Sequence, residues 1–178
     1  MPLSTSLIAF WEMEEASGDR NDSKGANHLS QIGGVTQQTG KVGNAAGFDS
    51  DLKHLEIADN TDLSKADIDF SFAGWVYLSD KSTTRGITGK INGWAAGAEH
   101  YLYYTQATDR FRWHVGNNSS FGAVSAPTFG SPSTNTWYFL FAYHDATANE
   151  VGISVDDVAV NTAAWTGGSY DSTGKFAV

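Results

Sequence analysis

The chain has 178 residues, of which 20 are acidic and 11 basic, so its formal net charge is −9. The acidic excess excludes a nucleic-acid partner, because its phosphates would be repelled, and the absence of cysteine excludes disulfides and thiolate zinc sites. No apolar run of about 18 residues is available for membrane insertion, and no signal peptide is visible at Met1–Leu7.

Short apolar or alternating runs, separated by clusters of Gly, Asn, Asp and Ser, recur along the whole chain, while helical periodicity is nearly absent. This pattern predicts an all-β sandwich. No linker, low-complexity tract or repeat interrupts it, so residues 1–178 are predicted to form a single domain. The predicted strands are, in chain order, Leu7–Met13, Gly47–Asp49, His54–Ile57, Asp69–Leu78, Gly86–Lys90, Tyr101–Tyr104, Arg110–Val115, Trp137–Tyr143, Val151–Val155 and Val158–Val160.

The connections between the later strands are short, which predicts a meander of antiparallel neighbours. Residues 106–109 and 144–150 are the right length for hairpin loops. Asp156 and Asp157 follow Val155 at the position of a further turn, because Asp tolerates left-handed backbone angles better than most residues.

Alternation along the predicted strands assigns the aromatic side chains to faces. In Asp69–Leu78, Phe70 and Phe72 share one face, and Trp75 lies on the other. The tryptophans inside strand patterns are predicted to be core residues: Trp11, Trp75 and Trp137. The five histidines are predicted to lie at the surface or at strand flanks rather than to bind a metal: His28, His54, His100, His114 and His144.

Four landmarks occur in the order found in a known family. They are Leu7–Glu15 with the loop Asn21–His28, Gly40–Asp49, Phe70–Val76, and Trp137–Tyr143 with Val151–Asp157. In these segments the chain resembles the concanavalin A-like lectin/glucanase superfamily, specifically its bacterial and phage laminin-G-like jelly-roll branch. The resemblance covers nearly the whole chain and implies a two-sheet antiparallel jelly-roll sandwich.

The resemblance also implies a last strand that the sequence lacks. The family pattern continues with a strand of the type Ile-Asp-Glu-Val, which would follow Val178. Either this sequence is part of a longer chain, or the missing edge is filled by something else, and an open sheet edge can pair with a strand from another chain. Strand addition by a partner chain is therefore one predicted mode of interaction.

A polar loop near the start of the chain is the predicted metal site. Asp19, Asn21, Asp22 and Asn27 provide carboxylate and amide oxygens within nine residues, which are ligands that Ca²⁺ prefers. The family resemblance implies a structural calcium ion at such a loop edge. The alternative is that Asp22 and Asn27 only bind the backbone of their own turn, as Asp and Asn often do.

Sugar binding requires aromatic faces that can stack on a pyranose ring, with polar groups nearby. Trp94, Trp165 and Tyr170 lie in Gly-rich loop segments and are the predicted ligand-binding aromatics; the alternative for Trp94 is that it packs over one end of the sandwich. Trp113 alternates with Phe111 on one strand and is predicted either to bind ligand or to pack in the core.

Three functional hypotheses follow from these features. The first is a non-catalytic carbohydrate-binding or adhesion module with a glycan partner, acting outside the cell or at a virion surface. The second is a structural or decoration module of a phage virion or extracellular assembly. The third, a glycoside hydrolase, lacks the clustered Glu-x-Asp-x-x-Glu carboxylates that such enzymes use, since Glu12, Glu14 and Glu15 have no central Asp. The chain is therefore predicted not to be an enzyme.

Overall fold

The structure is a computed structural model that describes residues 6–64, 66–92 and 97–178. The described residues form thirteen β-strands. The chain divides into two compact units: the first is Met1–Leu63 together with Lys175–Val178, and the second is Ser64–Gly174. The strands are β1 Ser30–Ile32, β2 Thr36–Thr39, β3 Asn44–Gly47, β4 His54–Ile57, β5 Phe70–Leu78, β6 Arg85–Ile91, β7 Ala98–Thr105, β8 Arg110–Gly116, β9 Phe121–Ser125, β10 Thr136–Asp145, β11 Glu150–Val155, β12 Asn161–Ala164 and β13 Lys175–Ala177.

The second unit is a sandwich of two antiparallel sheets. One sheet has the order β6-β7-β8-β9, and the other has the order β12-β11-β10-β5. The core lies between them, because buried side chains from both sheets form one cluster, including Leu102, Phe111 and Trp113 from the first sheet and Leu140 and Ile153 from the second. The predicted all-β, two-sheet antiparallel sandwich is confirmed.

Strand β5 shows the predicted alternation. Phe70 and Phe72 are half-buried and pack against the core, whereas Trp75 on the opposite face has 45% of its surface exposed. Trp137 is the register partner of Tyr77 on β5 and therefore shares this outer face. The prediction that Trp75 and Trp137 are core residues was wrong, because strand alternation directs them away from the core.

The predicted hairpin connections are confirmed. Residues 106–109 join β7 to β8, and residues 146–149 join β10 to β11. Asp156 and Asp157 both have positive φ, 50° and 59°, in the predicted turn after β11. The strand that follows begins at Asn161 rather than at Val158, because the Ser154 hydroxyl donates to the Val158 carbonyl and holds this segment in the turn.

The first unit contains two small antiparallel sheets. Strand β4 pairs with β1 on one side and with β13 on the other, and β2 pairs with β3. Leu55 on β4 and Phe176 on β13 are buried. Trp11, predicted to be a core residue, is half-buried and stacks on Phe176 with 5.3 Å between ring centroids.

The predicted strand at Leu7–Met13 is not formed. Only Trp11 makes an isolated β-bridge, to Asp22. The backbone N–H of Phe10 donates to the Asp22 carboxylate, and the Phe10 carbonyl accepts from Ser23, so this segment binds the following loop instead of a neighbouring strand. Met13 has a φ of 62°, which ends the extended conformation.

Three of the five histidines are buried, contrary to the prediction of surface or flank positions. His100, His114 and His144 each have at most 5% of their surface exposed. The Nε2 atom of His144 lies 2.9 Å from a carboxylate oxygen of Asp67. His100 lies among aromatic rings of the core, with Phe72 at 4.7 Å and Trp113 at 5.8 Å between centroids.

Burial of His100 predicts a dependence of stability on pH. Burial, with a smaller effect of the Lys90 charge, lowers the pKa of His100 to about 3, and the Glu99 carboxylate lies 4.0 Å away. The unfolded chain takes up a proton near pH 6.5, whereas the folded chain does not, so this stabilisation is complete above pH 6.5 and is lost as pH falls toward 3. Chemical denaturation should show about 1.4 kcal/mol lost by pH 5.5 from this histidine. In His100→Phe this part of the loss of unfolding free energy should be absent. A pH dependence equal to that of the wild type would contradict the attribution of the loss to His100.

Candidate functional site: a tyrosine-bearing face of one sheet

The outer face of the β7-β8-β9 sheet region carries aromatic and basic side chains together. Phe111, Trp113 and Val115 of β8 are in the core, so the alternate residues Arg112 and His114 lie on the outer face. The register pairs Arg112 with Tyr103 and Ser125, and His114 with Tyr101 and Ala123. We call this surface the tyrosine face and define it by Tyr101, Tyr103, Arg112, His114 and Phe121.

Two tyrosines form the first part of this face. The rings of Tyr101 and Tyr103 stack with 4.6 Å between centroids and an angle of 14° between planes. Gly86 and Gly89 on β6 give Tyr101 its space, because a Cβ at Gly89 would lie 2.9 Å from a Tyr101 ring carbon and one at Gly86 would lie 2.7 Å from its hydroxyl. Glycine at these two positions therefore lets the tyrosine ring lie against β6.

The second part of the face is a stacked pair at its β9 edge. The rings of His114 and Phe121 lie 4.2 Å apart between centroids, with 18° between their planes. His114 is buried in this stack, whereas Phe121 has 42% of its surface exposed. Phe121 therefore presents an aromatic ring to solvent at one end of the tyrosine face.

Arg112 lies beside Tyr103 on this face, two residues before His114 on β8. It is half-buried, and its Nε is buried without a hydrogen-bond partner in the described residues. Burial raises the pKa of Tyr103, and the nearby Arg112 charge opposes that rise. Burial also raises the pKa of Tyr101. The face thus presents neutral phenols and a positive guanidinium, which can stack on a ring and donate hydrogen bonds.

The loop with two of the predicted ligand-binding aromatics borders this face. The Tyr170 backbone N–H donates to Gly116, the register partner of Phe121. Trp165 and Tyr170 are half-buried, and each uses its polar group within the protein: the indole N–H donates to Gly168 and the phenol donates to Gly97. Their role in ligand binding stays a prediction. Trp94 lies outside the described residues.

Trp113 is a core residue and not a surface ligand-binding residue. None of its surface is exposed, and its indole N–H donates to the Tyr143 carbonyl at 2.9 Å. It contacts Phe70 and Phe72 from the opposite sheet. Of the two alternatives that the sequence left open for Trp113, the structure supports packing.

The predicted calcium loop is held by hydrogen bonds around Asp22. The Asp22 carboxylate accepts from the backbone N–H groups of Phe10, Lys24 and Asn27 at 2.9 to 3.1 Å. Burial alone would raise the pKa of Asp22, but these bonds and one from Gly25 outweigh it and lower the pKa. Backbone donors thus occupy both Asp22 oxygens.

The other predicted calcium ligands also bind within the protein. Asp19 accepts from the Gln31 backbone, and Asn21 donates to Glu15. The Asn27 carbonyl accepts the Trp11 indole N–H at 2.7 Å. In the described part of the chain no group of three or more His, Asp or Glu side chains is placed to hold a metal ion. Calcium binding by this loop stays a prediction.

The hydrogen bonds of Asp22 predict a large structural effect of its removal. We expect Asp22→Ala to lower the free energy of unfolding by about 1–2 kcal/mol, because several backbone donors lose their acceptor. Thermal unfolding of both proteins should show the same difference in calcium and in a chelator. A difference that exists only with calcium would instead support a metal ion on Asp22.

A second aromatic surface lies on the outer face of the other sheet. Trp75 on β5 packs against Phe139 on β10 with 5.4 Å between centroids, and Tyr77 packs against Trp137 with 5.3 Å. Trp75, Tyr77 and Phe139 are exposed. We call this the β5/β10 face. It carries no Lys or Arg on the two strands, in contrast to the tyrosine face.

The comparisons with known proteins bear on the fold. No family model matches the sequence, and no curated protein matches it. Among solved structures, domain 4 of AbnA, a GH43 extracellular arabinanase from Geobacillus stearothermophilus, in complex with arabinotriose, has a TM-score of 0.62 and 17% identity, covering 88% of this chain and 76% of that one. The binding domain of botulinum neurotoxin serotype G has a TM-score of 0.54 and 12% identity, covering 89% of this chain and 40% of that one.

These likenesses show the fold and do not assign a family. In the described residues no helix has the length and apolar character needed to cross a membrane. The laminin-G-like branch in particular stays a prediction. The chain has an antiparallel jelly-roll β-sandwich fold similar to that of these two domains.

Proposed function

We propose that the chain is a non-catalytic carbohydrate-binding domain and that the tyrosine face holds the glycan. The observation that carries this proposal is the combination, on one sheet face, of the aromatic residues Tyr101, Tyr103 and Phe121 with Arg112, whose Nε has no hydrogen-bond partner among the described residues. Aromatic rings cover the apolar face of a pyranose, and a few placed donors bind its hydroxyls and fix its orientation. Arabinotriose in the complex of the structural neighbour agrees with this class of ligand.

The charges around the face support binding without catalysis. A retaining glycosidase needs two carboxyl groups about 5–5.5 Å apart, with both free to act on the sugar. On β7, the acidic residue of the outer side is Glu99, which is buried and paired with Lys90 at 3.1 Å. Its carboxylate is committed to the protein interior. This supports a binding domain rather than a glycosidase. We propose that the domain anchors its protein to a glycan outside the cell or at a virion surface, as an adhesion module does.

Glycan-array binding tests this proposal. The wild-type chain should retain at least one class of oligosaccharide, and Tyr103→Ala should weaken the binding of that glycan about tenfold or more, because it removes an aromatic contact beside Arg112. The matched control is Trp75→Ala, which removes an aromatic ring from the β5/β10 face and should leave affinity unchanged. Loss of binding in the control alone would place the site on the other sheet, and no binding to any glycan would contradict the proposal.

A second candidate function has one observation in its favour. The β5/β10 face exposes Trp75, Tyr77 and Phe139 together, and contiguous exposed aromatic surface often marks a protein interface. This favours the hypothesis of a structural or decoration module of a virion or extracellular assembly. Sedimentation of the wild type and of Trp75→Ala separates the two: a self-associating wild type and a monomeric variant would support the assembly hypothesis.

A further inference from the structure

Arg112 is unusual among the basic residues of this acidic chain. Ion pairs join acidic residues to several other basic side chains, as in Lys53–Asp49, Lys90–Glu99 and Lys175–Glu56. Neither an ion pair nor a hydrogen bond is found for the Arg112 side chain within the described residues. In a chain with nine more acidic than basic residues, a half-buried guanidinium without a carboxylate is therefore a distinctive feature.

The position of Arg112 on the sheet makes its side chain accessible to a ligand. It lies on the outer face of a central strand, with Tyr103 on one side and Ser125 on the other. Its Nε is removed from water and has no hydrogen-bond partner among the described residues, whereas the side chain as a whole is only half-buried and keeps surface that a ligand can reach. The neighbouring basic residue on the same face, Arg110, instead donates to the backbone carbonyl of Asp109 at 2.7 Å. Arg112 is thus the basic group of this face that remains available to a ligand.

We infer that the tyrosine face takes a sugar that carries a carboxylate and that Arg112 binds this carboxylate. The inference rests on the proposed function and names the class of ligand for the same site. A guanidinium and a carboxylate match in shape and form two parallel charge-assisted hydrogen bonds, which are stronger than those to a neutral hydroxyl. The tyrosines and Phe121 would contact the ring of the same sugar, so one face provides both stacking and charge recognition.

Two matched pairs of probes test the inference by titration calorimetry. Sialyllactose is compared with lactose, and trigalacturonate with its methyl ester, in which the same sugar chain is neutral. We expect the acidic member of at least one pair to bind about tenfold more tightly than the neutral member, because only it can form the bidentate pair. Arg112→Gln should abolish this preference, so that the acidic and the neutral member of the pair bind the variant with equal affinity.

Control variants separate the role of Arg112 from net charge and from folding. Lys175→Gln removes a positive charge from the exposed pair with Glu56 and should keep the full preference. If Arg112→Gln does not fold, Arg112→Lys replaces it and should lower the preference at least threefold, because an ammonium lacks the planar fork.

Each outcome is decisive. Equal affinity for both members of each pair would overturn the carboxylate inference and leave the proposed function standing. An equal loss for acidic and neutral probes in Arg112→Gln would also overturn it. If none of the four probes binds but neutral glycans bind on the array, only the inference fails; if nothing binds in either assay, the proposed function fails with it.

Discussion

Replacing Trp113 by alanine should lower the free energy of unfolding by about 3–5 kcal/mol, the range for removing a fully buried tryptophan. The side chain has no exposed surface, and it contacts Phe70 and Phe72 across the sandwich. Its loss leaves a cavity between the sheets and removes the indole N–H that donates to the Tyr143 carbonyl. Urea denaturation followed by circular dichroism measures the difference.

Trp75→Ala is the matched control for this prediction. It removes the same residue type from the outer face of β5, where 45% of the side chain is exposed. The expected loss is about 1 kcal/mol. Equal losses of unfolding free energy in the two variants would contradict the assignment of Trp113 to the core and of Trp75 to the surface. They would therefore also contradict which face of each sheet packs against the core.

Replacing Lys90 by methionine should lower the free energy of unfolding by about 3–5 kcal/mol, because it leaves a buried carboxylate without its partner. Lys90 has no exposed surface, and its Nζ lies 3.1 Å from a Glu99 oxygen and 3.1 Å from the Ser64 hydroxyl. The same Glu99 oxygen accepts from the backbone N–H and the hydroxyl of Ser172, each at 3.0 Å. Denaturant titration of the single and double variants measures this network.

A double variant of the Lys90–Glu99 pair is the control for the single variant. Lys90→Met combined with Glu99→Met removes both charges and should recover much of the lost stability, since a buried ion pair is often replaced by apolar residues at little cost. Lys175→Met, at the exposed pair with Glu56, should cost at most about 1 kcal/mol. A Lys90→Met variant as stable as Lys175→Met would show that the Lys90 pair is not buried.

The fold could be predicted where the sequence alternates strongly over a long run. Strand β11 has apolar side chains at every second position, so its buried face follows from its sequence, whereas β5 and β10 were predicted as strands but carry aromatic side chains on both faces, which hides the buried face. Strands such as β2 and β13 were missed. Thr36–Thr39 is polar, and Lys175–Ala177 has three residues, so their conformation is determined by their partners β3 and β4 rather than by their own composition.

The site could be predicted only in kind. The sequence predicts aromatic residues with nearby polar groups in loops, whereas the proposed site lies on a sheet face. The available signal was the alternation of Arg112 with the apolar Phe111 and Trp113. In Tyr101–Tyr104 no such signal exists, because Tyr103 faces outward and Tyr104 is buried, and neighbouring tyrosines do not reveal which face the core covers.

The most direct test of the central claim is to map a bound glycan on the chain by amide chemical shifts in NMR spectra. With a glycan that the array identifies, we predict that the largest shifts occur in Tyr101–Tyr103, around Arg112 and His114, and in Phe121–Ser125. Shifts concentrated in β5 and β10 would contradict the claim, and so would shifts confined to Trp165–Tyr170, the predicted loop site. Either pattern would move the binding site away from the tyrosine face.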